Sequence, residues 1–439
     1  MIRFSYSILI SLLLTVVLPV SSRSQNRDQQ LTAGCLQVLS EVMIHDITSP
    51  LVASRDYAYS MIAFYEAARY GDSTYLSYSG QLNGLGPLPG PQRGLEYDWF
   101  IAGAAAFYKT GYALVFSKDL FQKQWDSLSR QWKDRPVSAE VKARSVSFGE
   151  QTASLILAWA KGDNYNHTRT LARYTPSRQE GRWQQTPPDY AEAIEPYWNQ
   201  IRPMVLASPG VISMPAPAAY KSPRFMQECK EVLETSRNLS RDQTWMANFW
   251  DCNPFATQTV GHLMYSIKKI SPGGHWMGIT GIAVGKSGQK LTGALATYSL
   301  VSVALFDAFI ACWDEKFKTN YIRPVAAIQQ LMVPNWDPQL QTPPFPEYPS
   351  GHSVISMASA AVLTRIFGDG FGYQDTVEKA YGVESRSFTS FNQAAREAAI
   401  SRLYGGIHFR EAIENGSALG EKIGAYILEK IRLRKGPLR

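Results

Sequence analysis

Three short stretches of this chain carry residues whose types and order suit chemistry on a tetrahedral anion. They are Lys316-x6-Arg323-Pro324, Pro349-Ser350-Gly351-His352 and Ser401-Arg402-x3-Gly406-x-His408. Together they supply three cations, two imidazoles, a hydroxyl and a glycine. A phosphate-like group needs cations to match its charge and donors for its oxygens. An imidazole beside it can move a proton or bond to the central atom. Each stretch alone is common; the ordered set is specific.

The surrounding sequence predicts how the set is brought together. Leu300 to Gln330 reads as largely helical, which would return Lys316 and Arg323 to nearly one face two turns apart. Ser350 follows Pro349 and precedes the apolar run Val354 to Leu363, the place of a helix N-cap. A helix start there would present free N–H groups and a favourable dipole to an anion. Gly351 would let the backbone approach it closely. Gly405-Gly406 separates Arg402 from His408, so one helix should end there and His408 should open the next.

In order and internal spacing the three motifs resemble the vanadium-dependent haloperoxidases and the type 2 phosphatidic acid phosphatases, which form one superfamily. The resemblance covers roughly residues 300 to 430. Trp313, three before the lysine, and Phe345, five before the serine, are similar to the haloperoxidase side and would wall a halide pocket. One position departs: where the family has an acid four residues after the last histidine, this chain has Ala412, with Glu411 beside it.

The resemblance implies an all-α protein of two packed helical bundles, with the site in the C-terminal one. It implies a vanadate cofactor, with His408 as the vanadium ligand and Lys316, Arg323, Ser350, Gly351 and Arg402 around the oxygens. His352 would be the acid–base group, and Lys316 would polarise the oxidant. The partners would be hydrogen peroxide and a halide, iodide or bromide, giving hypohalous acid. Asp251 stands where relatives carry a carboxylate that pairs with the last arginine, and Asn253 is its rival. The same atoms would also serve a secreted phosphatase, with His408 forming a phosphohistidine and His352 protonating the leaving group. A catalytically silent anion-binding protein is the third reading, with Ala412 as its only support.

The rest of the chain sets the context. Its 439 residues suffice for a large core. Arg3, the apolar stretch Ile8 to Val20 and the small Ser22 and Ser24 read as a signal peptide over residues 1–24, so a periplasmic or secreted protein is expected. No later segment has the roughly 20 uninterrupted apolar residues of a membrane span. The cysteines Cys35, Cys229, Cys252 and Cys312 lack C-x-x-C spacing, although export would permit disulfides. The net charge of +7 is scattered and partly terminal, which argues against a nucleic-acid partner. His45, His167, His262 and His275 show no ligand spacing.

Apolar residues recurring at three and four predict helices at about Leu36 to Arg69, Tyr97 to Phe116, Ser138 to Lys161, Pro223 to Arg237, Asp242 to Trp250, Phe255 to Lys269, Leu291 to Lys318, Ser353 to Phe367, Phe391 to Leu403 and Phe409 to Leu433. Alternating strands are not evident. The simplest division is an N-terminal helical part, 25–220, and a site-bearing C-terminal bundle, 221–439.

Overall fold

The apolar stretch Leu291–Thr319 forms one 29-residue helix, buried along almost its whole length, against which Pro50–Ala68, Pro272–Ser287, Gly351–Phe367 and Arg410–Lys430 pack. In the computed structural model the chain is described over residues 20–436, apart from 261 and 267. The expected signal segment therefore falls almost wholly outside the described residues. Before the central helix come Val20–His45, Pro50–Ala68, Trp99–Leu114, Lys118–Ser129, Ala139–Lys161, Pro223–Arg237, Arg241–Phe249 and Pro272–Ser287. After it come Pro324–Leu331, Gly351–Phe367, Phe391–Tyr404 and Arg410–Lys430. The fold is all-α, as expected.

The differences from the sequence reading have local causes. The first predicted helix is two, because Thr48-Ser49-Pro50 starts a new one: Ser49 accepts the Val52 N–H and Pro50 takes the first turn. Phe255 to Lys269 is no helix but an antiparallel hairpin, Thr257–Val260 against Leu263–Ser266. The β-branched Thr257, Thr259 and Val260 favour that outcome. A second pair, Tyr373–Asp375 with Arg386–Phe388, has strands of three residues, too short to show alternation in the sequence. Pro272–Ser287 is a helix that the sequence pattern does not predict, because its glycines are poor helix formers. Packing overrides that propensity, since a Cβ at Gly278 would sit 2.6 Å from Val377.

The central helix meets Pro50–Ala68 on one side and Gly351–Phe367 on the other. One apolar core consequently runs from Leu39 and Phe64 through Leu305 to Ile355 and Ile423. Asp307, buried within it, accepts the N–H groups of Met204, Val205 and Leu206, tying the long 169–222 connection to the bundle. A smaller core of Phe225, Tyr321, Tyr348, Phe409 and Ala412 lies beneath the motif loops.

Close approach of Arg410–Lys430 to Gly351–Phe367 depends on glycine. A Cβ at Gly420 would lie 2.1 Å from the Val354 carbonyl oxygen. With the backbones that near, the Ser350 N–H donates to the Ala412 carbonyl at 3.0 Å, which locks the second motif to the third.

All four cysteines are free and buried. Among the described residues only Leu291–Thr319 is long and apolar enough to cross a membrane, and its apolar window is wholly buried inside the fold. Thr297, Ser299, Ser302 and Asp307 interrupt that run, so a search for unbroken apolar sequence passes over it.

Candidate active site

Ser350 is the N-cap of Gly351–Phe367 and its Oγ accepts the Ser353 N–H. The N–H groups of Gly351 and His352 belong to the first turn, which has no intrahelical acceptors. A Cβ at Gly351 would meet Trp313, Cys312 and the Lys316 side chain at 3.7–4.0 Å. The helix start thus faces the lysine directly.

Lys316 and Arg323 do meet at the site, though not by sharing a helix. The central helix ends at Thr319, Asn320 takes a left-handed conformation with φ of 46°, and Arg323 becomes the N-cap residue of Pro324–Leu331. Sequence periodicity could not see this corner, because Pro324 is tolerated at a helix start as well as marking a break.

Lys316 is fully buried, and its ammonium donates to the carbonyls of Pro346, Glu347 and Pro349. All three N–H groups are engaged, so an anion held by Lys316 must displace one carbonyl. Arg323 donates from Nε to Phe345 and from Nη1 to Ile407, at 2.8 and 2.9 Å, while its buried Nη2 has no partner. Arg402 donates from Nε to Ser401 Oγ and from Nη2 to the Ala247 carbonyl.

Burial pulls Lys316 down to about 7 and Arg323 to about 10, and pushes the Glu347 carboxyl up to about 8. Three buried cations face one fully buried carboxylate. The excess positive charge suits an oxyanion, which would return Lys316 to its charged form.

His408 is oriented by a residue the sequence reading overlooked. Its Nδ1 lies 2.8 Å from Glu347 Oε1, which also accepts the Phe409 N–H at 2.9 Å. Burial, then Arg323 and Lys316, hold the imidazole well below its usual value, so it is neutral. With the proton on Nδ1 toward Glu347, the Nε2 lone pair faces the cations; Arg323 Nη1 is 3.2 Å away.

Glu347 therefore does what the missing acid at Ala412 would do. Ala412 is itself packed in the smaller core. The available signal was a carboxylate in Phe345-Pro346-Glu347-Tyr348-Pro349, a rigid run that leads straight into the serine motif. Glu347→Gln keeps the shape but weakens the acceptor that fixes the tautomer. Affinity for an oxyanion such as orthovanadate should fall about 10–100-fold with the fold intact, measured by equilibrium binding alongside circular dichroism.

His352 stands on the pocket side of the same helix start. Its Nε2 is buried without a partner. Burial, then Arg402 and His275, keep the ring well below its usual value, against a hydrogen bond to the Trp250 backbone. A neutral imidazole with a free nitrogen can give or take a proton there.

Trp313 and Phe345 pack at 4.9 Å between ring centroids, with Lys316 Nζ 5.1 Å from the Phe345 ring centre. Both aromatics line the pocket that also exposes His352 and His408, together with Phe309, Pro343 and Ile355.

The expected brace on Arg402 takes a different form. Asp251 makes its ion pair with Lys269, and it reaches Arg402 through charge rather than through a hydrogen bond. The cause is position: Asp251 lies just past the Arg241–Phe249 helix, whose Ala247 carbonyl takes the guanidinium instead. Asn253, its rival, borders the pocket. His45, His167 and His262 are exposed, whereas His275 is fully buried against Asp375.

Comparison with known proteins agrees with this geometry. Residues 296–435 match the VCPO second helical-bundle domain. No curated protein matches in sequence. The crystal structure of a bacterial vanadium-dependent iodoperoxidase is similar at 42% identity with a TM-score of 0.87, covering 93% of this chain and 98% of that one. A bacterial vanadium-dependent chloroperoxidase is similar in fold at 17% identity in both apo and holo forms. Their TM-scores are 0.64 and 0.63, with 87% and 90% of this chain covered and 94% and 92% of theirs. Sequence identity maintained over almost the whole chain, joined to a buried cationic cradle with its free imidazole nitrogen, places this protein in the vanadium-dependent haloperoxidases, as a peroxidase whose cofactor is vanadate.

Proposed function

We propose that the enzyme oxidises iodide with hydrogen peroxide to hypoiodous acid. The observation that carries this reading is the aromatic wall, Trp313 against Phe345, beside His352 and the buried Lys316. Iodide is large, polarizable and weakly hydrated, so an apolar pocket with cations behind it admits iodide at the smallest desolvation cost. The similar iodoperoxidase supports the same choice.

The residues present fit vanadate. Arg323 Nη2 and His352 Nε2 are buried polar atoms awaiting partners, and the cation excess requires an anion. His408 Nε2 would bind the metal, while Lys316, Arg323, Arg402, Ser350 and the Gly351 N–H would hold the oxygens. Bound vanadate supplies an electrophilic centre that activates hydrogen peroxide toward the halide. The chain's part is to keep three cations preorganised and water scarce. His352 exchanges the protons of peroxide and product, and Lys316 supplies fixed positive charge. Export through the signal peptide goes with this reading, and N-terminal sequencing of the secreted mature protein tests it.

Purified mature protein should oxidise iodide with hydrogen peroxide only after orthovanadate is added, with bromide slower. Hydrolysis of p-nitrophenyl phosphate without halide oxidation would overturn the proposal. Phe345→His would place a polar donor on the halide wall, and the ratio of bromide to iodide turnover should change by about tenfold or more, the worth of one good hydrogen bond. An unchanged ratio would return Phe345 to simple packing.

A further inference from the structure

Behind the pocket lies a second group of chemistry-bearing side chains that the haloperoxidase reaction does not use. Cys252 Sγ is 3.3 Å from His275 Nδ1 and 3.3 Å from Glu378 Oε1, and those last two atoms are 3.5 Å apart. The opposite ring nitrogen, His275 Nε2, lies 2.8 Å from Asp375 Oδ2. The four residues are between 0 and 5% exposed. They come from three separate places: the turn after Arg241–Phe249, the first turn of Pro272–Ser287, and the Tyr373–Asp375 strand with the 3-10 turn behind it.

We propose that Cys252, His275 and Glu378 bind one zinc ion. A tetrahedral zinc with bonds of about 2.3 Å to sulfur and 2.0–2.1 Å to nitrogen and oxygen sets its ligand atoms about 3.3–3.6 Å apart, and the separations here, 3.3, 3.3 and 3.5 Å, need shifts of only a few tenths of an ångström to meet it. The donors suit this borderline-soft cation. Asp375 completes the arrangement by accepting Nε2–H, which turns the Nδ1 lone pair toward the ion. Charge points the same way, for two buried carboxylates face a single imidazole in an apolar setting of Phe249, Trp250 and Phe388. On binding, the Cys252 thiol proton leaves to solvent while sulfur, nitrogen and oxygen each donate a lone pair. A fourth position remains for water.

The site would be structural. Trp250 stacks on His275 at 4.8 Å, its backbone holds His352, and Cys252 borders the halide pocket. Zinc would therefore clamp the segment that supports the acid–base histidine.

The test is metal content of vanadate-loaded enzyme equilibrated with zinc alone, after removal of loosely bound ions. The parent should keep one zinc per chain beside its vanadium. Cys252→Ser and Glu378→Gln should lose it, and Asp375→Asn should weaken it about 10–100-fold. Because the serine variant could fold poorly, cobalt is added to the parent as well. A thiolate-to-cobalt charge-transfer band supports the assignment, whereas its absence together with no retained zinc overturns it. Equal zinc in the parent and all three variants would also overturn it, leaving the group as a hydrogen-bonded cluster.

Discussion

Replacing His408 by alanine should abolish vanadate retention and turnover together. His408 presents a neutral ring nitrogen to the buried cations, because Glu347 takes Nδ1–H and the surrounding charges keep the ring unprotonated. The cations can hold oxygens but cannot bond to the metal, and a methyl group leaves nothing in its place. The measurement is vanadium content after gel filtration, run beside iodide oxidation at saturating orthovanadate. Retained peroxidase activity would remove His408 as the ligand. Loss of activity with full vanadium content would assign it a role in turnover instead.

His352→Ala should part those two readouts. Its Nε2 is buried and unpartnered at the pocket wall, where it can serve protons without carrying the cofactor. The variant should bind vanadate while kcat falls by about 10²–10⁴-fold, the usual contribution of a positioned acid–base group. The pH–rate profile should flatten as well, since the titrating imidazole is gone. A loss confined to KM would mean that His352 shapes the halide pocket only. Glu347→Gln lies between these cases: affinity falls first, and rate follows at limiting vanadate.

The two histidine variants and Glu347 separate tasks that one small volume performs together. Desolvation makes every charge in it costly, so backbone carbonyls hold each one: three on Lys316, two on Arg323 and one on Arg402. Removing one partner from such a network costs more than an exposed pair would suggest. Variants at Lys316 therefore report on folding as well as on chemistry, whereas the histidines give the cleaner separation.

Local chemistry made much of this protein legible from its residues. Helix periods depend on side chains three and four apart, so Leu291–Thr319, Gly351–Phe367 and Pro223–Arg237 could be placed closely. Ser350 could be read as a cap because its hydroxyl serves its own helix, and the break between Arg402 and His408 because Gly406, with φ of 72°, turns the chain there. The three motifs announced a cationic anion site because their residue types suffice for it.

Tertiary structure decided what depends on distant partners. Lys316 and Arg323 meet around the corner at Asn320 rather than along one helix. Thr257–Val260 pairs with Leu263–Ser266 instead of coiling, and Pro272–Ser287 is helical despite its glycines because Val377 and its neighbours close upon it. Glu347 replaces an acid that the spacing after His408 could not supply, since proximity through 61 residues of chain leaves no periodic trace. Glu378 reaches Cys252 across a still longer interval of 126 residues. Sequence spacing records contacts within an element, whereas hydrogen bonds and ion pairs between elements exist only after the apolar faces have been buried.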